Sequence, residues 1–203
     1  MDLTQQTYNR IAEDWHRANS SSDWWIGGTD YFASLFSRAA EILDVGCAGG
    51  RKAKYLLDKG LQVTGIDFSE GMLSVAKREV PEADFFLLDV RQAEDLHKVF
   101  DGIFAQAVFL HVPKIETPEL IKKLTKILKP GGYFYVAVKG IKPNRSEEEI
   151  KIDNDIGYEY QRFFSYYRPE EIRKYFVEAG LEIVWVDVKK TGHCEWIQMI
   201  GKK

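Results

Sequence analysis

Short apolar segments alternate along the chain with amphipathic segments, and this alternation predicts an α/β domain with a mostly parallel sheet. Seven segments have the length and apolar character of strands: residues 41–45, 62–66, 84–88, 102–107, 133–138, 182–188 and 196–201. Four amphipathic segments between them predict helices: residues 51–59, 69–79, 117–128 and 169–179. Only the polar link 189–192 separates the last two strands, so we expect them to form an antiparallel hairpin.

The rhythm changes after the fifth predicted strand. Residues 139–155 are polar and charged, and they predict a solvent-facing loop or a short helix. Residues 157–168 are strongly aromatic: Tyr158, Tyr160, Phe163, Phe164, Tyr166 and Tyr167. Such a cluster suits an apolar pocket for a small molecule. It also suits a stacking surface for single-stranded nucleic acid.

Composition narrows the classes of protein to consider. The chain has 203 residues, 45% of them hydrophobic, and a net charge of -3, which suits one globular domain and gives no global attraction to nucleic acid. No apolar run approaches the roughly 20 residues that a membrane helix needs. The N-terminus lacks the features of a signal peptide, and Cys47 and Cys194 give neither a disulfide framework nor a zinc site. We therefore expect a cytoplasmic protein that uses no metal.

The segment 42–51, Ile-Leu-Asp-Val-Gly-Cys-Ala-Gly-Gly-Arg, contains a glycine-rich turn between the first strand and the first helix after it. In a doubly wound sheet this turn lies at the carboxyl end of the strand, where ligands bind, and the helix that follows directs free N–H groups toward it. A dinucleotide fingerprint would need glycine at positions 48 and 51, which are Ala48 and Arg51 here. The turn therefore predicts a ligand site, and its spacing disfavours a nicotinamide dinucleotide.

Two further strands end in acids that complete a pattern. Asp67 follows Asp44 by 23 residues, and Asp89 ends the third strand. Together with the glycine turn, with segment 100–107 and with segment 128–134, these acids resemble the motifs of class I S-adenosylmethionine-dependent methyltransferases. The family usually has glycine where this chain has Ala48, and an alanine fits there without strain if its φ is negative.

The resemblance implies a Rossmann-like, doubly wound sheet of seven strands in the order 3-2-1-4-5-7-6, mostly parallel with an antiparallel C-terminal hairpin. It implies one domain, residues 1–203, made of an N-terminal helical lid (1–38), a cofactor-binding core (39–139), a substrate-covering insertion (140–168), and a last helix with the closing hairpin (169–203). The implied cofactor is S-adenosylmethionine, and the product is S-adenosylhomocysteine.

The resemblance also assigns roles to particular residues. Asp67 is expected to bind the ribose hydroxyls, Asp89 the adenine amino group and Tyr8 the methionine carboxylate. The full set of expected cofactor-binding residues is Tyr8, Asp44, Gly46, Cys47, Ala48, Gly49, Gly50, Asp67, Phe68, Met72, Asp89, Val90 and Gln106.

The substrate is expected at the carboxyl end of the fourth strand. There, amide methyltransferases carry Asn/Asp-Pro-Pro-Tyr/Phe, but residues 106–113 of this chain read Gln-Ala-Val-Phe-Leu-His-Val-Pro, which argues against chemistry on an exocyclic amine. His111 is the candidate general base for a hydroxyl, thiol or carboxylic acid, and the alternative is a pocket wall or cofactor contact. The expected substrate pocket is Trp24, Trp25, His111, Tyr160, Arg162 and Phe164.

The sequence thus predicts methyl transfer to a small-molecule oxygen or carboxylate by in-line SN2 displacement. Two alternatives stay open. Segment 162–167 and the N-terminal Tyr-x-x-Ile-Ala pattern faintly resemble methyltransferases of tRNA wobble uridines, although the acidic chain disfavours a nucleic-acid partner. A non-catalytic subunit that binds S-adenosylmethionine is the other alternative. The oligomeric state is left open.

Overall fold

A seven-stranded sheet covered by helices organises the chain, and the computed structural model describes residues 2–19, 23–192 and 194–203. The helices are α1 (Leu3–Ala18), α2 (Ile26–Ser34), α3 (Arg51–Asp58), α4 (Glu70–Glu79), α5 (Thr117–Lys126) and α6 (Pro169–Glu178), with short 3₁₀ helices at Val90–Leu96 and Phe109–His111. The strands are β1 (Glu41–Val45), β2 (Gln62–Asp67), β3 (Asp84–Leu87), β4 (Phe100–Gln106), β5 (Leu128–Lys139), β6 (Glu148–Asp153), β7 (Tyr160–Ser165), β8 (Glu182–Thr191) and β9 (Cys194–Lys202).

Strand order in the main sheet is β3-β2-β1-β4-β5-β9-β8. Strands β1 to β5 pair in parallel, whereas β9 is antiparallel to both β5 and β8. Since β8 and β9 are the sixth and seventh strands of this sheet, the predicted order 3-2-1-4-5-7-6 and the closing hairpin are confirmed. The order reverses between β1 and β4, which is where a doubly wound sheet opens a crevice for ligands.

Two hydrophobic clusters lie on opposite faces of the sheet, because successive side chains of a strand point to opposite sides. On β4, Phe104 belongs to one cluster and its neighbours Ile103 and Ala105 belong to the other. The Phe104 side is covered by α2, α3 and α4, and the opposite side by α5 and α6. This arrangement confirms the doubly wound fold class.

The insertion after β5 differs from the prediction. Strand β6 lies within the segment predicted to be a loop or short helix, and it pairs antiparallel with β7, which carries much of the aromatic block. Residues 149–153 alternate between polar and apolar side chains as a strand does. However, the apolar side chains, Ile150 and Ile152, face outward and are 59% and 57% exposed. The usual rule that apolar side chains point inward therefore gave the wrong element here.

Strand β5 also begins five residues earlier than predicted, at Leu128. Pro130 and Gly131 lie inside this strand, next to a shift in its register against β4. Gly131 has a φ of 79°, which lets the strand pass through this irregularity.

Helix α1 covers the carboxyl ends of the strands and is tied to two elements. Its N-terminus is capped by Asp2, whose side chain accepts from the Thr4 N–H. The Thr7 hydroxyl donates to the Gln161 carbonyl (2.7 Å), and the Thr4 hydroxyl accepts from the Phe163 N–H (3.0 Å), both on β7. These contacts hold α1 and the β6–β7 hairpin together as one roof over the sheet edge.

Candidate functional site

A cavity of about 360 Å³ lies under this roof, at the carboxyl ends of the central strands. Its size is that of a small-molecule site. Most of the predicted site residues line it: Tyr8, Trp24, Trp25, Gly46, Ala48, Asp67, Phe68, Met72, Asp89, Val90, Gln106, His111, Arg162 and Phe164. Five predicted residues do not line it: Asp44, Cys47, Gly49, Gly50 and Tyr160.

The glycine turn shapes one wall of the cavity. Gly46 has a φ of 67°, and a Cβ there would lie 2.5 Å from Val108 Cγ2. Gly49 serves packing instead, because a Cβ on it would lie 2.3 Å from the His16 ring on α1. Cys47 is fully buried in the core beneath the turn. The first glycine therefore faces the ligand space, and the residues behind it let α1 approach.

Ala48 does not meet the condition that its position sets. Its φ is 47°, in the left-handed region, so the condition of a negative φ is not met. This conformation costs an L-residue on the order of 1–2 kcal/mol. It is held in part by a hydrogen bond from the Ala48 N–H to Asp67 Oδ2 (2.9 Å). The turn is thereby locked to the end of β2.

Asp67 is buried at the end of β2 and faces the cavity. Its two carboxylate oxygens accept from the backbone N–H groups of Ala48 and Ser69, both at 2.9 Å. Burial raises its pKa to about 6, against the opposing effect of the backbone N–H groups of Ser69, Ala48 and Phe68. Each oxygen keeps a lone pair, so the carboxylate can still accept from two hydroxyl groups of a ligand.

Two buried acceptors near the turn lack donors. Among the described residues, neither Asp44 Oδ2 nor Gln106 Oε1 has a hydrogen-bond partner. Asp44 lies behind the turn, where burial raises its pKa to about 7, with Lys52 acting to lower it and Asp67 to raise it. Buried polar atoms are nearly always paired in native proteins. The Gln106 oxygen, whose residue lines the cavity, fits a ligand that brings a donor such as an ammonium group.

Asp89 lies at the rim and is already engaged. It caps the 3₁₀ helix Val90–Leu96 and accepts from the Arg91 N–H at 2.8 Å. The Arg91 guanidinium bonds the same carboxylate at 3.0 Å and reaches Glu116 at 2.7 Å. The predicted contact of Asp89 with an adenine amino group stays a prediction, and a lone pair not used by Arg91 would have to make it.

His111 belongs to a chain of hydrogen bonds through the cavity wall. The Tyr8 hydroxyl lies 2.9 Å from His111 Nε2, and the Phe163 carbonyl lies 2.7 Å from His111 Nδ1. Because a carbonyl can only accept, Nδ1 carries the proton and Nε2 accepts from Tyr8. The Tyr8 hydroxyl in turn accepts from Arg162 Nη1 at 2.8 Å. The chain thus runs from Arg162 to the backbone of β7.

The same contacts set the chemistry of the imidazole. Burial, followed by the positive charge of Arg162, lowers the pKa of His111 to about 3. The ring is therefore neutral near pH 7, and both of its nitrogens are engaged. This arrangement favours the pocket-wall alternative over the general base. It also turns the Tyr8 hydroxyl toward His111 and Arg162, so the predicted contact of Tyr8 with the methionine carboxylate stays a prediction.

Arg162 is held at the centre of the roof. It is 8% exposed, pairs with Asp153 through Nη2 at 2.6 Å, and has an Nε without a partner among the described residues. Tyr160, also predicted in the pocket, points away and donates to Asp155, which does line the cavity. Of the aromatic block, Phe164 alone lines it.

At the aromatic and cationic end of the cavity, sequence reasoning predicted Trp24, Arg162 and Phe164 but missed Trp196 and Lys139. The rings of Trp24 and Trp196 stack 3.8 Å apart, and Lys139 Nζ lies 4.3 Å from the centre of the Phe164 ring. Trp25, in contrast, is 3% exposed and packs edge-on against Tyr55. The other lining residues that were missed include Arg91, Lys151, Asp153, Asp155 and Cys194. The signal for Lys139 was available, because it ends an apolar strand just as the three acids do.

Comparison with known proteins agrees with this geometry. Residues 42–132 match the family model of a methyltransferase domain. This part of the chain is a methyltransferase domain. S-adenosylmethionine, predicted from the strand-end acids, is the cofactor of its class.

The relatives of the methyltransferase domain are distant. The ubiquinone biosynthesis O-methyltransferase of Pseudomonas aeruginosa is 29% identical over 158 residues, which cover 70% of this chain and 65% of that relative. A methyltransferase of Methanosarcina mazei has a TM-score of 0.72 at 22% identity, covering 84% of this chain and 95% of its own. The 1,6-didemethyltoxoflavin-N1-methyltransferase of Burkholderia thailandensis, solved with S-adenosylhomocysteine, has a TM-score of 0.76 at 16% identity, covering 98% and 86%. The two structures share the fold of this chain.

The described ranges contain no group of three or more histidine, cysteine, aspartate or glutamate side chains placed to hold a metal ion. In the same ranges, no helix has the length and apolar character needed to cross a membrane.

Proposed function

We propose that the protein transfers a methyl group from S-adenosylmethionine to an oxygen atom of a small molecule. One observation carries the proposal. One cavity joins the strand-end acceptors of β2 and β4 to an aromatic and cationic wall on β5, β7 and β9. The acceptors suit the cofactor, and the wall suits a flat substrate.

The cofactor half consists of groups that fit the parts of S-adenosylmethionine. The Asp67 carboxylate keeps lone pairs for ribose hydroxyls, and the unpaired oxygen of Gln106 suits the ammonium group. Phe68 and Met72 supply apolar surface for the adenine ring. When bound, the cofactor supplies a methyl carbon attached to a positively charged sulfur.

The substrate half positions the acceptor and excludes water. In-line displacement needs the attacking atom aligned with the methyl–sulfur bond, and correct orientation of the reactants can supply a large part of the rate gain. The roof of α1 and the β6–β7 hairpin encloses the cavity, and the rings of Trp24, Trp196 and Phe164 give it flat apolar walls. These walls orient a planar molecule.

An oxygen nucleophile is favoured over an amine by two features. The segment 106–113 lacks the motif of amide methyltransferases. Lys139 and Arg162 place positive charge on the substrate side, which suits an acidic oxygen and repels a protonated amine. The name of the Pseudomonas relative, an O-methyltransferase, supports the same choice. The net charge of -3 disfavours tRNA as the substrate.

The test uses S-adenosylmethionine carrying a labelled methyl group, with fractionated cell extract as the source of acceptors. We expect label in the small-molecule fraction, and calorimetry should show that S-adenosylhomocysteine binds. Label in the tRNA fraction would support the wobble-uridine alternative. Binding of S-adenosylhomocysteine with no labelled product in any fraction would support a non-catalytic subunit. The Asp67→Asn variant, assayed in parallel, controls for contaminating enzymes.

A further inference from the structure

Two lysines that line the cavity, Lys52 and Lys139, have no hydrogen-bond or ion-pair partner for their ammonium groups among the described residues. Lys52 lies over the Trp25 ring, on the side of the glycine turn. Lys139 is the one on the substrate side, where its Nζ lies 4.3 Å from the centre of the Phe164 ring and 5.7 Å from that of Trp196. The residue ends β5, next to β4, and lines the cavity. An unpaired cation that contacts aromatic rings and lines a cavity can still bind an anionic group of a ligand.

The charged groups around Lys139 leave it unpaired. Lys151 and Arg162 both pair with Asp153, so that carboxylate is already shared between two cations. Burial lowers the pKa of Lys139 to about 8; Cys194 and Asp153 act to raise it, and Arg162 and Lys151 to lower it further. His111, which also interacts with Lys139, is neutral and hydrogen-bonded at both nitrogens. The lowered pKa makes the neutral amine of Lys139 more accessible near neutral pH than that of an exposed lysine.

We propose that Lys139 is the catalytic base for an acidic hydroxyl on a planar ring, a phenol or an enol, and that it then holds the resulting oxyanion. The inference rests on the proposed function and names its substrate class. In the step, the substrate O–H bond breaks, its proton bonds to the lone pair of the neutral Nζ, and the electron pair stays on oxygen. The product is an ammonium–oxyanion pair.

The surroundings of Lys139 select this class. The stacked pair Trp24–Trp196 and the ring of Phe164 offer flat surfaces on which an aromatic ring packs well. A general base works best when its pKa lies near the operating pH, and an amine of this kind is well matched to an acidic phenol. A carboxylic acid is already ionised at neutral pH and needs no base. An aliphatic alcohol would use neither the flat walls nor the match in acidity.

The test measures ionisation of a bound probe, so it does not depend on turnover. 4-Nitrophenol, whose phenolate absorbs visible light, is titrated between pH 5 and 9 with excess protein saturated with S-adenosylhomocysteine. A positive charge within about 4–6 Å lowers the pKa of an acid by one unit or more. We therefore expect the ionisation constant of the bound probe to rise about tenfold or more. Lys139→Met should abolish this rise, and Lys139→Arg, which keeps the charge, should retain most of it.

The controls separate the possible failures. Lys190→Met removes an exposed lysine on β8 and should leave the probe titration unchanged. 4-Nitroaniline has the same shape as 4-nitrophenol but no acidic hydroxyl. It should bind the wild type more weakly than 4-nitrophenol does, whereas the two compounds should bind Lys139→Met with equal affinity. An equal rise in the wild type and in Lys139→Met, or no binding of 4-nitrophenol, would overturn the proposal. Absence of S-adenosylhomocysteine binding would instead refute the proposed function.

Discussion

Replacing His111 by asparagine should change how the stability of the protein depends on pH. In the folded state the pKa of His111 is lowered to about 3, mainly by burial, whereas an unfolded histidine titrates near its usual 6.5. Between these values the unfolded chain binds a proton that the folded chain does not. The contribution of His111 is therefore fully present above pH 6.5 and is lost as the pH falls, by up to about 1.4 kcal/mol per unit.

The expected loss follows from this slope. At pH 5 the wild type should have lost up to about 2 kcal/mol of unfolding free energy through His111 alone. His111→Asn keeps an amide N–H that can donate to the Phe163 carbonyl and does not titrate, so it lacks this loss. Asp44 and Asp67, whose pKa values are raised, titrate in both proteins. Their effect cancels when the two proteins are compared at each pH.

Urea denaturation at pH 7, 6 and 5 provides the assay. The difference in unfolding free energy between the wild type and His111→Asn should shift by about 2 kcal/mol toward the variant over this range. His97 is an exposed histidine with a φ of 49°, a conformation that asparagine tolerates, so His97→Asn is the matched control and should show little shift. Parallel pH profiles for the wild type and His111→Asn would refute the neutral, hydrogen-bonded imidazole.

Three further substitutions test the cofactor half of the site. Asp67→Asn removes a charged acceptor and should weaken binding of S-adenosylhomocysteine by about 1.5–3 kcal/mol in calorimetry; an unchanged Kd would exclude its ribose contact. Ala48→Gly relieves left-handed strain of about 1–2 kcal/mol but frees the unfolded chain by about 0.5–1 kcal/mol, so Tm should rise slightly, and a clear fall would contradict the strain. Gly46→Ala places a methyl group against Val108 and should lower both Tm and the affinity for S-adenosylhomocysteine. Gly131→Ala, at a similar φ with open space around it, should leave that affinity unchanged. Equal loss of affinity in these two glycine variants would show that backbone strain, and not the close approach, matters at Gly46.

The cofactor half was readable from sequence because its signals are local. Asp67 and the turn at Gly46 follow apolar strands at fixed spacings, and parallel strands bring such ends to one edge of a sheet. Lys139 also ends a strand at this edge of the sheet, but only acids at the strand ends were taken as candidate ligand-binding residues. The β6–β7 hairpin was missed for a physical reason. Ile150 and Ile152 face outward, whereas the charged residues Lys151 and Asp153 line the cavity.

The state of His111 could not be predicted from its neighbours in sequence. Its ring contacts Tyr8, 103 positions away, and Phe163, 52 positions away. Protonation depends on these distant contacts, so the residue type alone suggested a base near neutral pH. The left-handed φ of Ala48 was hidden in the same way, because the closure of the turn onto Asp67 sets it.

The hydrogen bonds between α1 and β7 also bear on self-association. A strand edge with free N–H and C=O groups is a template for pairing with another chain. On the outer edge of β7, the Gln161 carbonyl is occupied by Thr7, the Phe163 N–H by Thr4 and the Phe163 carbonyl by His111. Helix α1 and His111, which form part of the cavity wall, thereby also block strand pairing along the β7 edge of the hairpin.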